Sequence, residues 1–202
     1  MSIVAPFSGA GQPPPYPVHR FSVDEYHRMI QAGILTEDDA VELLEGWIVP
    51  KMPRNPPHGG TIQIADEVLR PRLPAGWQLR IQSALTMPDS EPEPDLAVVR
   101  GDARTYLNRH PGPPDAGLVI EVADSSLARD RGDKGRLYAG AGIACYWIIN
   151  LIDRQVEVYT VPSGPAAVPS YHQRQDHGAQ HTVSLILDGL DYGPVPVRAL
   201  LP

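Results

Sequence analysis

Two aliphatic runs in the middle of the chain, Leu96-Ala97-Val98-Val99 and Leu118-Val119-Ile120, are β-branched and unrelieved by polar positions, the pattern of strands buried on both faces. Residues 145–150 and 155–159 read the same way and are joined by a short turn around Asp153. Ahead of them, residues 21–32 have helical periodicity. Ser22 and Glu25 form a capping box, Phe21 is placed to staple onto Tyr26, Gly33 is the stop, and Tyr26, Met29 and Ile30 are the packing face. Residues 41–49 predict a hairpin turning at Glu45-Gly46. Residues 53–57 predict a loop, with His58 at the mouth of a helix whose apolar positions Ile62, Ala65, Val68 and Leu69 run until Pro71, Pro74 and Gly76. A strand is expected over 77–86, then an acidic, proline-rich loop over 88–94 carrying Asp89, Glu91 and Glu93. After the second aliphatic run, Ser125-Ser126 opens a helix expected over 127–139, ending at Gly140 or Gly142. Residues 163–180, rich in Pro, Gly, Gln and His, predict a long exposed excursion, followed by a strand over 183–187 and a short closing segment over 195–201.

Composition narrows the class. With 202 residues, 42% of them hydrophobic, the chain is long enough for one domain with its own core. Residues 1–17 read as a flexible Pro/Gly-rich arm, and 18–202 as a single domain. The 23 prolines and 18 glycines fit a fold with many punctuated loops. A formal net charge of −7 argues against strong non-specific nucleic-acid binding, which relies on basic surface, while leaving room for an acidic cleft with a local basic rim. The single cysteine, Cys145, sits in an apolar run, so it reads as a small, unreactive core residue in a reducing cytoplasm. No apolar stretch reaches membrane-spanning length, and the N-terminus lacks the basic start and long apolar core of a signal peptide.

The chemistry lies in the carboxylates of the two central runs. Asp95 and Glu121 stand where a core strand carries no charge, and a lone buried carboxylate is costly unless it is paired or bound to a cation. Two on neighbouring strands repel each other, and a divalent cation between them removes the conflict. Downstream, Asp130, Lys134 and Tyr138 recur at helical spacing on one face. The residues alone equally allow blander readings. Asp95 and Glu121 as strand-end carboxylates satisfied by backbone or a basic partner, Glu42 as a solvent-facing strand residue, and Lys134 as the partner of Asp130 in an ordinary helix-face ion pair are all open. Tyr138 reads as a packing or hydrogen-bonding residue of the fold. His172, His177 and His181 lack a tight metal-ligand spacing.

The ordered series Val41-Glu42-Leu43-Leu44-Glu45-Gly46, His58 before a helix, Pro94-Asp95-Leu96, Val119-Ile120-Glu121-Val122, Asp130-x-x-x-Lys134-x-x-x-Tyr138 and Tyr146-Trp147-Ile148-Ile149 resembles the Uma-two family, restriction-endonuclease-like proteins of the PD-(D/E)XK nuclease superfamily. The resemblance implies a mixed α/β (α+β) fold: a central mixed sheet flanked by helices, with an N-terminal helix and hairpin and the site at one edge of the strands. It implies a nuclease cleaving phosphodiester bonds, most readily in DNA. Asp95, Glu121 and the carbonyl of Val122 would hold Mg²⁺ or Mn²⁺, and a lysine would position or activate the attacking water. The superfamily lysine stands two residues after the glutamate, where this chain has Ala123. The family pattern implies Lys134, from the following helix, in its place. Glu42 is then a third acid acting directly or through a metal-bound water, at the rim of the cleft, and His58 a phosphate contact. Oxygen ligands alone favour Mg²⁺ or Mn²⁺ over zinc.

Two other classes of function stay open at this level. One is a non-catalytic nucleic-acid-binding or toxin-like accessory protein that retains the nuclease fold. The other is a dimerisation module using Tyr146-Trp147 and the closing strands, so a homodimer is a further expectation. No zinc finger, helix-turn-helix or basic arm that would read bases is legible.

Overall fold

The computed structural model describes residues 17–52 and 55–202. Its frame is a six-stranded mixed sheet in the order β3-β4-β5-β6-β7-β8, formed by β3 (Trp77–Ile81), β4 (Leu96–Arg100), β5 (Ala116–Ala123), β6 (Cys145–Asn150), β7 (Gln155–Pro162) and β8 (Tyr171–Gly178). Every pairing is antiparallel except β5 with β6. A parallel neighbour requires a crossover, and residues 127–140 supply it as one continuous helical segment: α3 (Leu127–Arg129), a π-helical stretch Asp130–Lys134 and α4 (Gly135–Gly140). All eight residues of β5 and all six of β6 are buried, which explains why both read as unrelieved apolar runs.

Strand alternation divides the core in two. Leu96, Val98, Leu118, Ile120, Val122, Trp147 and Ile149 face α2 (Pro56–Leu69) and a C-terminal hairpin. Ala97, Val99, Val119, Ala123, Tyr146 and Ile148 face the crossover helix through Leu127, Leu137 and Tyr138. A smaller cluster of Val23, Tyr26 and Leu43 joins α1 (Val23–Gln31) to the hairpin of β1 (Val41–Leu44) and β2 (Trp47–Pro50). The Ser22–Glu25 capping box is formed, and Gly33 ends the helix at φ +69°. The β1–β2 turn has positive φ at both Glu45 and Gly46, the geometry of a tight hairpin turn. Cys145 is a free, buried cysteine whose thiol burial pushes up to about 12. No helix among the described residues is long and apolar enough to cross a membrane.

Several sequence expectations need correction. The expected arm over 1–17 lies, apart from Pro17, outside the described residues, as do Pro53 and Arg54 of the expected 53–57 loop. That loop is shorter than expected because Asn55 caps α2 by accepting the His58 N–H, with Pro56 and Pro57 in the first turn, where proline costs no hydrogen bond. Ile30 is exposed, and Val23 takes its place on the packing face. The third strand stops at Ile81, since Gln82 has φ +46° and breaks the extended run. The 88–94 loop is not solvated: Ser90 and Glu91 are buried, and Glu91 bridges back to Leu43. The expected excursion over 163–180 contains β8, an edge strand whose two faces are largely in water, so it needs no apolar alternation. The expected strand over 183–187 is β9 (Thr182–Leu187), which forms a hairpin with an unexpected β10 (Leu190–Pro196) by turning at Asp188-Gly189, and the closing segment over 195–201 is the end of β10 and a 3-10 turn at Val197–Ala199.

Candidate active site

Antiparallel register brings the two central carboxylates together. Leu96 pairs with Ile120, so the next step along both strands sets Asp95 beside Glu121 at one end of the sheet. Both are nearly buried. The Asp95 N–H donates to Glu121 Oε2 at 3.2 Å, and the Val122 N–H donates to Asp95 Oδ2 at 2.9 Å. Each carboxylate thus fixes the backbone that carries the other. Both share the strand parity that faces the crossover helix, the side from which Lys134 enters.

Lys134 is 5% exposed, and its ammonium lies 3.3 Å from Glu121 Oε1 and 3.0 Å from Glu42 Oε2. The helix-face pairing with Asp130 is therefore not its main contact. Nor is Glu42 a solvent-facing strand residue or a rim residue: it is 3% exposed and accepts hydrogen bonds from Lys134, from Arg129 Nη2 at 2.8 Å and from the Glu93 N–H at 3.1 Å. The Tyr138 hydroxyl, one turn beyond Lys134, donates to Glu121 Oε1 at 2.6 Å. His58 sits at the start of α2 with Nε2 3.1 Å from Asp95 Oδ2, and it lines the same pocket.

The crossover helix is shaped for this task. Its π stretch Asp130–Lys134 is an interruption of the kind frequent at functional sites. The Asp130 carbonyl accepts the Gly135 N–H and the Tyr146 hydroxyl. A Cβ on Gly135 would meet that carbonyl at 3.3 Å, tight enough that the π turn would have to give by a few tenths of an ångström. Asp130 itself is buried, with Ser126 Oγ donating to it at 2.6 Å.

These side chains line an open pocket of about 70 Å³, room for a few waters or one hydrated cation. Six carboxylates (Glu42, Glu93, Asp95, Glu121, Asp124, Asp130) face three permanent cations (Lys51, Arg129, Lys134) and His58. Burial in this pocket shows in the titration of two of the acids. Burial, reinforced by Asp95 and Asp130 and opposed by Lys134, pushes the Glu121 carboxyl up to about 8. Burial pushes Asp130 up to about 6 against the pull of Ser126 and Lys134. Burial alone would lower the Lys134 ammonium, but Glu121 and Glu42 outweigh it and hold it above its ordinary value. Such a site suits a hard divalent cation in its donor chemistry: all-oxygen acids with an unbalanced charge. No three His, Cys, Asp or Glu side chains among the described residues are already grouped as a cage for an ion. A pair of carboxylates completed by water and substrate oxygens is the arrangement Mg²⁺ tolerates best.

Sequence reasoning missed Arg129, which ties Glu42 to the Pro50 carbonyl of the hairpin, and the Asn55–Asp124 bond of 2.6 Å across the pocket. Neither has a spacing signal, because both join segments distant in sequence.

A comparison with protein families matches residues 23–195 to Uma2, described as "Putative restriction endonuclease". Among solved structures, a "putative nuclease belonging to DUF820" from Anabaena variabilis ATCC 29413 is similar, with a TM-score of 0.59 and 16% identity over 89% of this chain and 97% of that one. At that identity the likeness is one of fold. No curated protein matches the chain.

Proposed function

Because the chain belongs to the Uma2 family of restriction-endonuclease-like proteins, we propose that it is a metal-dependent nuclease hydrolysing phosphodiester bonds in nucleic acid, DNA foremost, with Mg²⁺ or Mn²⁺. The observation that carries this reading is the buried Lys134 ammonium 3.3 Å from Glu121 in the pocket that Asp95 also lines. Ala123, at the position of the superfamily lysine, is fully buried. A lysine from the crossover helix reaching the same carboxylate accounts for that departure.

In this reading Asp95, Glu121 and the Val122 carbonyl would hold the cation, which would supply Lewis-acid chemistry for phosphodiester hydrolysis. Lys134 orients the attacking water and offsets negative charge building on the phosphate, as a preorganised cation in a partly dry site does most effectively. Glu42 holds the Lys134 ammonium from the hairpin side, and Arg129, on the same helix as the lysine, fixes the other oxygen of Glu42. Tyr138 fixes the rotamer of Glu121, and His58 fixes Asp95 from α2 while facing the phosphate path.

Incubation of plasmid, single-stranded DNA and RNA with Mg²⁺ or Mn²⁺, beside a chelator control and Asp95→Ala, tests the proposal. Cleavage of at least one substrate that needs the cation and disappears in Asp95→Ala is expected. Cleavage that survives in Asp95→Ala, or none on any substrate, would reject it.

A further inference from the structure

Beside the acidic pocket lies a second groove of about 500 Å³, and the two share Met52 and Arg129. Its walls are Trp47, Val49 and Met52 of the hairpin side, with Leu137 and Arg136 of the crossover helix opposite. Trp47 is 41% exposed and Met52 46% exposed. Leaving a tryptophan half in water forfeits burial of the largest apolar side chain, which is characteristic of a contact surface.

This tryptophan is also rigidly held. The turn preceding it is tied to the 88–94 loop, with the Glu45 N–H donating to Ser90 Oγ at 2.8 Å and the Gly46 N–H to the Asp89 carbonyl at 2.8 Å. Arg136 pairs with both oxygens of Glu45, and the Arg20 guanidinium stacks 5.4 Å from the centre of the indole. A rigid aromatic platform loses little entropy when a flat ligand stacks on it.

We propose that this groove is a stacking subsite for an unpaired nucleobase of a single-stranded nucleic acid whose backbone runs on into the acidic pocket. The inference rests on the nuclease reading for the course of the backbone, and on Trp47 for the subsite itself. Continuity with the pocket selects the occupant, since a strand crossing at Asp95 and Glu121 passes Met52 and Arg129 next. Stacking suits an unpaired base because every base has an aromatic face. A duplex keeps its bases stacked on each other and has none to offer. The charges of the groove are balanced, Arg129 and Arg136 against Glu45 and Asp133, so stacking rather than phosphate attraction supplies the affinity here.

The test is fluorescence anisotropy in a chelator, where no cleavage intervenes, with a labelled single-stranded DNA oligonucleotide and the duplex of the same sequence. Trp47→Ala is expected to weaken single-strand binding by about ten-fold or more, the loss typical of one stacked base, with duplex binding changed less than about two-fold. Trp47→Phe, which keeps an aromatic face, should recover most of the affinity, and melting curves check the fold of both. Unchanged single-strand binding in Trp47→Ala, equal losses on single strand and duplex, or no binding by the wild type would overturn the subsite. So would a dimer-to-monomer change in Trp47→Ala by light scattering, which would make the patch a self-interface. Binding through Trp47 with no cation-dependent cleavage sinks the nuclease reading alone; cleavage with Trp47-independent binding sinks the subsite alone.

Discussion

A buried ammonium facing two carboxylates has to be judged on stability as well as chemistry, and Lys134 does not behave like a surface ion pair. Had it paired with Asp130 on an exposed face, its removal would cost a few tenths of a kcal/mol. At 5% exposure, between Glu42 and Glu121, its removal leaves Glu121 without a cationic partner and Glu42 with Arg129 alone, and breaking a buried pair costs about 3–5 kcal/mol where both partners are charged. The sign of the pH dependence follows. Without the ammonium Glu121, already pushed up to about 8 by burial, titrates higher still. Measured in urea denaturation from about pH 5 to about pH 9, the deficit of Lys134→Met is therefore expected to be flat up to about pH 7 and to grow above it, as Glu121 ionises in the wild type but not in the variant. Under conditions where the variant is folded, cleavage should fall by about 100-fold or more. A constant deficit across that range, or full activity, would contradict the role given to Lys134. Asp95 and Glu121 stood out in the sequence because charge in a buried run breaks the pattern, whereas Lys134 was marked by its helical spacing and by the family resemblance. The burial of Glu42 was not, since a four-residue strand does not say which of its faces meets a helix 92 positions away.

The crossover helix is the element that makes the site, and it is pinned at two points. Lys134 reaches Glu121 on β5, while Arg131 reaches Glu157 on β7. Register places Glu121, Ile148 and Glu157 in one row across the sheet, so the two anchors lie side by side under the helix. Glu157 is fully buried and accepts hydrogen bonds from Arg131, Asn150 and Tyr159. Burial works to raise its carboxyl, but these donors and Arg174 together bring it down to about 2 from an ordinary 4.5. A depressed acid stabilises the fold fully above its unfolded value and loses that contribution as pH falls through the folded one. Glu157→Gln should therefore be less stable than wild type by roughly 3 kcal/mol at pH 6, with the gap closing towards pH 2 in denaturant titrations. A gap independent of pH would mean the cluster owes nothing to the charge. Helix 127–140 and strands β5 and β6 were readable from periodicity. β8 was not, because a polar edge strand and an exposed loop have the same composition, although the Asp188-Gly189 pair ahead of β10 did carry a hairpin signal.

At the scale of the molecule, both faces of the central strands β4 to β6 are covered, by α2 with the C-terminal hairpin and by the crossover helix, so their end at Asp95 and Glu121 is where chemistry can reach solvent. The net charge of −7 leaves the protein little general attraction for a polyanion. A bound divalent cation would offset most of the local excess of negative charge, where six carboxylates outnumber three cations. Binding of that cation is the step on which the whole account depends. Calorimetric titration of Mn²⁺ into the wild type and into Asp95→Asn, which keeps the side-chain size and an acceptor for the Val122 N–H, measures it without reference to substrate. The account requires saturable binding of Mn²⁺ by the wild type, lost or weakened by about ten-fold or more in a normally melting Asp95→Asn variant. Binding that is absent up to millimolar Mn²⁺, or equally tight in Asp95→Asn, would contradict it.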